Sequence, residues 1–171
     1  MNRCLLFCVL STLLVVAGCD RRSRFTPITK NIAHGSSLTL YEGLPHQAWE
    51  AELLKKELEA KETITVHGFP FYERPLPVAA LDLEELRRLS AARESFSPYA
   101  GPKACGGYHP DYCLSWKDGE VTYELLICFS CHEMKFYGPK HEALADIRKD
   151  AFERFEAILK KYRDQRPKRD E

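Results

Sequence analysis

The chain of 171 residues lacks an excess of charge of either sign, because 25 basic residues balance 25 acidic ones. Such a chain has no overall field to attract nucleic acid or anionic substrates, and it contains no nucleic-acid-binding pattern. It also lacks the G-x-S-x-G, P-loop and H-E-x-x-H motifs, which would mark common hydrolase, nucleotide-binding or metalloprotease sites. We therefore expect no nucleic-acid partner, and no catalytic residues are identified.

A long apolar run is missing as well. The longest run extends from Leu5 to Ala17, whereas a membrane-spanning helix needs about 20 apolar residues. Arg3 precedes this run, and Gly18 and Cys19 follow it. A basic start, a short apolar stretch and a small-residue cleavage site are typical of a removable export signal. The segment resembles the lipobox of bacterial lipoproteins.

The lipobox resemblance implies that a signal peptidase cuts before Cys19 and that lipid, palmitate among the acyl groups, is attached to this cysteine. Several acyl chains would give stable attachment, whereas a single chain gives marginal attachment. The membrane is therefore the one partner predicted, and the protein is expected on a bacterial membrane, facing the periplasm or the exterior. The alternative is an ordinary secretory signal that is cut at another position.

Four segments follow from this interpretation. Residues 1–18 are predicted to be the signal peptide, and residues 19–37 the lipid anchor and flexible tether. Residues 38–162 are expected to form a single domain, because this length favours one core. Residues 163–171 are almost wholly charged or polar and are predicted to be a solvated tail.

Hydrophobic periodicity predicts the elements of the domain. Alternation predicts a strand at 37–41, β-branched residues predict another at 63–67, and helical spacing predicts a helix at 46–61. Asp82 resembles the start of a capping box that opens a short helix. Asp118-Gly119, between two strand-like runs, is a strong hairpin signal.

The last predicted element is a long amphipathic helix from about 141 to 162. Its apolar stripe consists of Leu144, Ile147, Ala151, Phe152, Phe155, Ile158, Leu159 and Tyr162. The order of elements predicts an α+β domain, in which a small mixed or antiparallel sheet with a central hairpin is covered by this long helix. Trp49 and Trp116 are expected in the core.

Four cysteines fall within the predicted domain: Cys105, Cys113, Cys128 and Cys131. An even number of cysteines in an exported chain first suggests disulfides, and four cysteines allow three pairings that sequence alone cannot distinguish. Cys128 and Cys131 are not expected to bond each other unless a turn begins there, because residues i and i+3 of a strand point to opposite faces.

The segment Cys128-Phe129-Ser130-Cys131-His132 allows a second interpretation. C-x-x-C-H is the attachment motif of haem c, in which Cys128 and Cys131 would bind the porphyrin and His132 would ligate the iron. This gives a small monohaem electron carrier as an alternative function. Two observations disfavour it: the motif ends a strand-like run, and no sixth iron ligand is evident.

A zinc site is a third interpretation. Cys105 and His109 form a C-x3-H pair, and Cys128 and Cys131 supply C-x2-C, which gives the four ligands of a tetrahedral site. His132 would be an alternative ligand. The two glycines between Cys105 and His109 would allow a tight turn.

A fourth interpretation is thiol-redox activity of the C-x-x-C pair. Redox pairs of this kind open a helix after a strand, whereas no helix is predicted to start beside Cys128. The sequences C-G-G-Y-H-P-D-Y at 105–112 and L-I-C-F-S-C-H-E at 126–133 resemble a pattern in uncharacterised exported or lipid-anchored bacterial proteins. That resemblance implies that the two halves belong to one local unit, and it implies no activity. A lipid-anchored envelope protein, whose Cys/His cluster holds a metal or braces the fold, is therefore the function predicted.

Overall fold

Eight β-strands provide most of the regular structure in the computed structural model, which describes Ile32 and residues 36–167. The strands are β1 (Ser36–Glu42), β2 (Thr63–Val66), β3 (Phe69–Tyr72), β4 (Phe96–Pro98), β5 (Tyr112–Asp118), β6 (Val121–Cys128), β7 (Glu133–Gly138) and β8 (His141–Ile147). The α-helices of this range are α1 (Ala51–Ala60), α2 (Ala80–Ala91) and α3 (Lys149–Leu159), and 3-10 turns cover Arg93–Ser95 and Lys160–Tyr162.

Six strands form one antiparallel sheet in the order β1-β5-β6-β7-β8-β4, and β2 pairs with β3 in a separate hairpin. The predicted hairpin is confirmed, since β5 and β6 pair antiparallel across Gly119 and Glu120. Gly119 has φ +59°, a conformation that tight hairpin turns require and that glycine adopts at little cost. Strands were also correctly predicted at 37–41 and 63–67.

The predicted fold class is wrong, because it gave the helices too large a share of the domain and ended the domain with one long helix. The described chain is mostly sheet with three short α-helices, and its longest helical segment has 14 residues. Residues 141–147, which were assigned to the long helix, form β8 instead, and α3 begins only at Lys149. The helix at 46–61 is also shorter than predicted, because α1 begins at Ala51.

The sequence of β8 fits two periods, which explains the error. Leu144 and Ile147 continue the helical stripe of α3, but Ala143, Ala145 and Ile147 also alternate, and these three are the buried residues of the strand. Pairing with both β7 and β4 satisfies the backbone of this segment on two sides. Tertiary pairing therefore decides between two periodicities that a short segment cannot separate.

The sheet separates two apolar clusters because neighbouring residues of a strand face opposite sides. Tyr112 and Leu114 of β5 join the main core with α2 and α3, whereas Cys113 packs on the other face with Leu126 and Phe71. The β2–β3 hairpin contributes Phe71 and so covers this second face. Trp116 is buried in the main core, as predicted.

Helix α2 does not begin in the way predicted from Asp82. The helix starts at Ala80, Ala79 occupies the N-cap position, and no side chain caps it. Asp82 instead accepts a hydrogen bond from the Tyr162 hydroxyl at 2.6 Å and lies 3.2 Å from the Lys161 ammonium. These bonds hold α2 against the 3-10 turn that follows α3.

Phe155 offers a test of the way α3 packs. Its side chain is fully buried in the main core, so Phe155→Ala is expected to lower the free energy of unfolding by about 3–5 kcal/mol. Leu81→Ala is the matched control, because Leu81 is 80% exposed on α2. Urea denaturation measures both changes, and equal losses from the two variants would contradict the packing.

The predicted signal peptide and the predicted lipidation site, Cys19, lie outside the described residues. Within those residues, no helix combines the length and apolarity that a membrane crossing needs. Ile32, inside the predicted tether, is fully buried in the main core, and its carbonyl accepts a hydrogen bond from Arg87 at 2.8 Å. The packed part of the chain therefore includes a residue before the predicted domain boundary.

Candidate functional site

A disulfide between Cys105 and Cys131 joins the two halves of the cysteine-rich region. Cys105 lies in the long connection before β5, and Cys131 lies in the turn between β6 and β7. The bond therefore holds an irregular loop against the central strands. Of the four interpretations of the cysteines, this pairing matches the structural one, in which Cys128 and Cys131 are not partners of each other.

Cys113 and Cys128 are buried free thiols in the described chain. Burial raises the pKa of the Cys128 thiol, and the Ser130 hydroxyl lies 3.3 Å from its sulfur. A redox cysteine instead needs an accessible thiol with a depressed pKa. Cys128 thus has the properties of an inert core thiol.

The residues of C-x-x-C-H do not fit haem attachment in this oxidised structure. The Cys131 sulfur is bonded to Cys105, and the Cys128 side chain is fully buried. The His132 ring stacks on Phe152 at 3.8 Å between centroids. His132 has φ +53°, so the residue serves a left-handed turn that directs the chain into β7.

The four predicted zinc ligands are brought into one region, but they do not form a metal cluster. Cys105 and Cys131 carry no thiolate while they are bonded to each other, and metal binding needs deprotonated thiols. His109 Nε2 donates a hydrogen bond to the Leu44 carbonyl at 2.8 Å. No group of three or more His, Cys, Asp or Glu side chains in the described residues is arranged to hold a metal ion. Zinc binding by these four residues stays a prediction.

A cleft of about 670 Å³ lies beside the disulfide loop. Three of its walls come from loops: the segment before α1, the loop before β5 and the turn after β6. These loops contribute His46 and Trp49, His109 and Asp111, and Phe129 and Ser130, respectively. The last wall comes from α3 and the segment after it, with Glu156, Lys160, Arg163, Arg166 and Pro167. Its volume is in the range of small-molecule binding sites.

Arg166 is a buried residue of the cleft lining. Its guanidinium pairs with Glu50 and also with Asp111, where Nη1 and Oδ1 are 3.2 Å apart. The second Asp111 oxygen accepts the Phe129 N–H at 2.8 Å, and Glu50 accepts the His46 N–H at 2.8 Å. One arginine thus joins the segment before α1, the loop before β5 and the C-terminal segment.

Two imidazole rings lie together in this lining, with the centroids of His46 and His109 4.6 Å apart. His46 Nδ1 accepts the Ala48 N–H at 3.0 Å, so the proton of the neutral ring is on Nε2. Burial lowers the pKa of His109, which favours its neutral form. Its bond to the Leu44 carbonyl places the proton on Nε2 and leaves Nδ1 as an acceptor.

Trp49 forms an exposed aromatic wall of the cleft, contrary to the expectation that it lies in the core. The side chain is 64% exposed, and its indole nitrogen donates to the Cys105 carbonyl at 3.3 Å. Gly106, at φ +77°, lies directly beneath the ring, and a Cβ there would come within 2.7 Å of the indole nitrogen. Glycine at 106 therefore allows the disulfide loop to support Trp49.

The segment after α3 is fixed by a second buried carboxylate. Glu42 of β1 is 1% exposed, and its Oε2 accepts the backbone N–H groups of Asp164 and Gln165 at 3.2 and 2.7 Å. Arg166 follows and is also buried. Arg166 is therefore buried within the stretch predicted to be a solvated tail, whereas the side chains of Arg163 and Asp164 are exposed.

The buried Glu42 makes the stability of the folded chain depend on pH. Burial raises the pKa of Glu42 above its ordinary value, so the folded state binds its proton more tightly than the unfolded state does. Its contribution to stability is therefore greatest below the unfolded pKa and decreases as the pH rises through the folded pKa. We expect the Glu42→Gln variant to be more stable at pH 7 than at pH 4 when each measurement is compared with the native chain at the same pH. Urea denaturation at both values measures this change, and a relative stability that falls with pH would contradict it.

Sequence reasoning identified some residues of the cleft and missed others. His109 was predicted as a zinc ligand, but His46 was assigned to no site, and Arg166 fell within the predicted tail. No local pattern marks either residue, because their partners are distant in sequence. Glu50, for example, lies 116 residues before Arg166.

Comparisons with protein-family models, curated proteins and solved structures gave no match to this chain.

Proposed function

We propose that this protein is a lipid-anchored binding protein of the bacterial cell envelope. The observation that supports a binding role best is the cleft beside the Cys105–Cys131 disulfide. Its walls come from four separate parts of the chain, and the disulfide and the Arg166 ion pairs fix them relative to one another. A preformed concave site with aromatic walls and a few placed polar groups is typical of small-molecule binding.

The envelope location is supported by two independent features. The sequence around Cys19 has the order of a lipobox, and disulfides persist in exported proteins but are rare in the reducing cytosol. In this proposal, lipid on Cys19 holds the chain at the membrane surface. The disulfide keeps the cleft in shape outside the cytosol.

The cleft favours binding over catalysis because its polar groups are engaged with each other. His109 is bonded to a backbone carbonyl, Asp111 to Arg166 and to a backbone N–H, and the Cys128 thiol is buried. A nucleophile beside a general base, which covalent catalysis needs, is not evident among these side chains.

Cys19→Ser in the full chain tests the anchor. We expect the native protein to fractionate with membranes and to carry the mass of acyl groups on the peptide that begins at Cys19. The variant should lose both properties, whereas Cys113→Ser, which alters a buried thiol of the domain, should keep them. Membrane association of the variant together with an unmodified Cys19 in the native protein would refute lipid anchoring.

A further inference from the structure

We infer that the cleft binds a small carboxylate whose acidic group is attached to a ring with an apolar face. This inference rests on the proposed binding role and specifies its ligand. The chemistry follows from three properties of the cleft: buried hydrogen-bond donors in its lining, an exposed guanidinium at its rim, and flat aromatic walls.

The lining carries hydrogen-bond donors that the protein itself does not satisfy. His46 is 5% exposed and Arg166 is 7% exposed, and both side chains line the cleft. His46 Nε2 and Arg166 Nε are buried atoms that have no hydrogen-bond partner among the described residues. Leaving a buried donor unpaired costs about 1–3 kcal/mol, so a ligand that supplies acceptor oxygens here recovers part of that cost. Carboxylate oxygens accept such bonds strongly.

The two donors belong to one local network. The Glu50 carboxylate accepts the His46 backbone N–H and pairs with Arg166. The His109 ring lies against His46, and Asp111 pairs with Arg166. Each donor is therefore held by neighbours that also line or border the cleft, which limits the reorganisation that binding would require.

The rim favours an anion. Lys160 is 3.0 Å from Glu156, so its charge is already paired. Arg163 lines the cleft and its side chain is exposed, and its charge acts on the buried Glu42 carboxylate without forming one of the direct ion pairs of the described residues. A carboxylate in the cleft would lie between this exposed guanidinium and the buried one of Arg166.

The walls favour a ring. Trp49 is held by its bond to the Cys105 carbonyl and yet is largely exposed, and Phe129 lines the same cleft. Aromatic side chains stack on flat apolar surfaces of a ligand, whether an aromatic ring or the C–H face of a sugar. Aromatic acids and sugar acids share this chemistry, and a binding experiment can distinguish them.

Tryptophan fluorescence measures the binding directly. The chain has two tryptophans, and Trp116 is 1% exposed, so a change on adding ligand reports Trp49. Benzoate and glucuronate are the acidic probes, and benzyl alcohol and methyl glucoside are their neutral analogues. We expect at least one acid to bind saturably with a Kd of about 1–10 mM, a range that fits so few ligand atoms. The corresponding neutral analogue should bind at least about tenfold more weakly.

Two variants and one control locate the site. Arg163→Ala is expected to weaken binding of the acid about fivefold, the size of a partly exposed charge interaction. Lys149→Ala removes the same charge from the exposed start of α3, outside the cleft, and should leave binding unchanged. His46→Phe keeps an aromatic ring but removes the donor, and about a tenfold loss is expected. Circular dichroism confirms that each variant is folded.

Binding of benzoate alone identifies an aromatic acid, and binding of glucuronate alone identifies a sugar acid; either result supports the inference. Binding of a neutral analogue as tight as that of its acid overturns it, as does the failure of both acids to bind. Equal losses from Arg163→Ala and Lys149→Ala also overturn it. If the native protein is membrane-anchored and oxidised but binds neither acid, only the inference about the ligand is contradicted. If the native protein is not anchored, the proposed function is contradicted.

Discussion

Replacing both Cys105 and Cys131 with serine is expected to lower the free energy of unfolding by about 3.5 kcal/mol. The bond closes a loop with a sequence separation of 26, and the chain-entropy relation gives this magnitude for a loop of that length. For a domain of this size, the loss corresponds to a melting temperature lower by about 10 °C. Thermal and urea unfolding of the double variant measure the two quantities.

The reduced native protein is the matched control for the double variant. Since both lack the bond, both should unfold at about the same urea concentration, well below the oxidised protein. If reduction and the double substitution leave the unfolding midpoint unchanged, the disulfide does not brace the domain. Cys128 remains a thiol in all three samples, so it does not contribute to the comparison.

Replacing Arg166 with methionine is expected to cost about 3–5 kcal/mol of stability. The side chains of Arg166 and Glu50 are 5% and 8% exposed, and that of Asp111 is 16% exposed. Removing the guanidinium therefore leaves two largely buried carboxylates without their cation. Removing one partner of a buried ion pair is strongly destabilising because it leaves a buried charge uncompensated. Urea denaturation at neutral pH measures the loss.

Arg74→Met is the control for this prediction. Arg74 and Asp164 form an ion pair whose side chains are 62% and 61% exposed, and exposed pairs contribute about 0–1 kcal/mol. Adding Glu50→Gln to Arg166→Met should recover part of the lost stability, because it removes one unpaired charge. Equal effects of Arg166→Met and Arg74→Met would show that Arg166 does not hold the cleft together.

The parts of the fold that were predicted correctly carry a local signal. Asp118-Gly119 between two apolar runs specifies the β5–β6 hairpin, and alternation specifies β1. The β8 strand was mistaken for a helix because Leu144 and Ile147 fit both periods. Its pairing with β7 and β4 depends on segments that are remote from any short window of sequence.

The candidate site was predicted only in part. The motif pair around Cys105 and Cys131 was correctly placed in one local unit, but the pairing itself depends on Cα positions that only the fold provides. Arg166 could not be recognised, because an arginine in a charged C-terminal stretch has no feature that predicts burial. His46 acquires its partner His109 only when the segment before α1 meets the loop before β5.

The measurement that tests the central claim most directly is peptide mapping of the protein isolated from cells without reductant, with thiols alkylated first in the native state and then after unfolding. We expect a peptide containing Cys105 joined to one containing Cys131. Cys113 and Cys128, both fully buried, should be alkylated only after unfolding. Alkylation of Cys105 and Cys131 in the native protein, or a bond between Cys128 and Cys131, would contradict a domain whose cleft is braced by the Cys105–Cys131 disulfide.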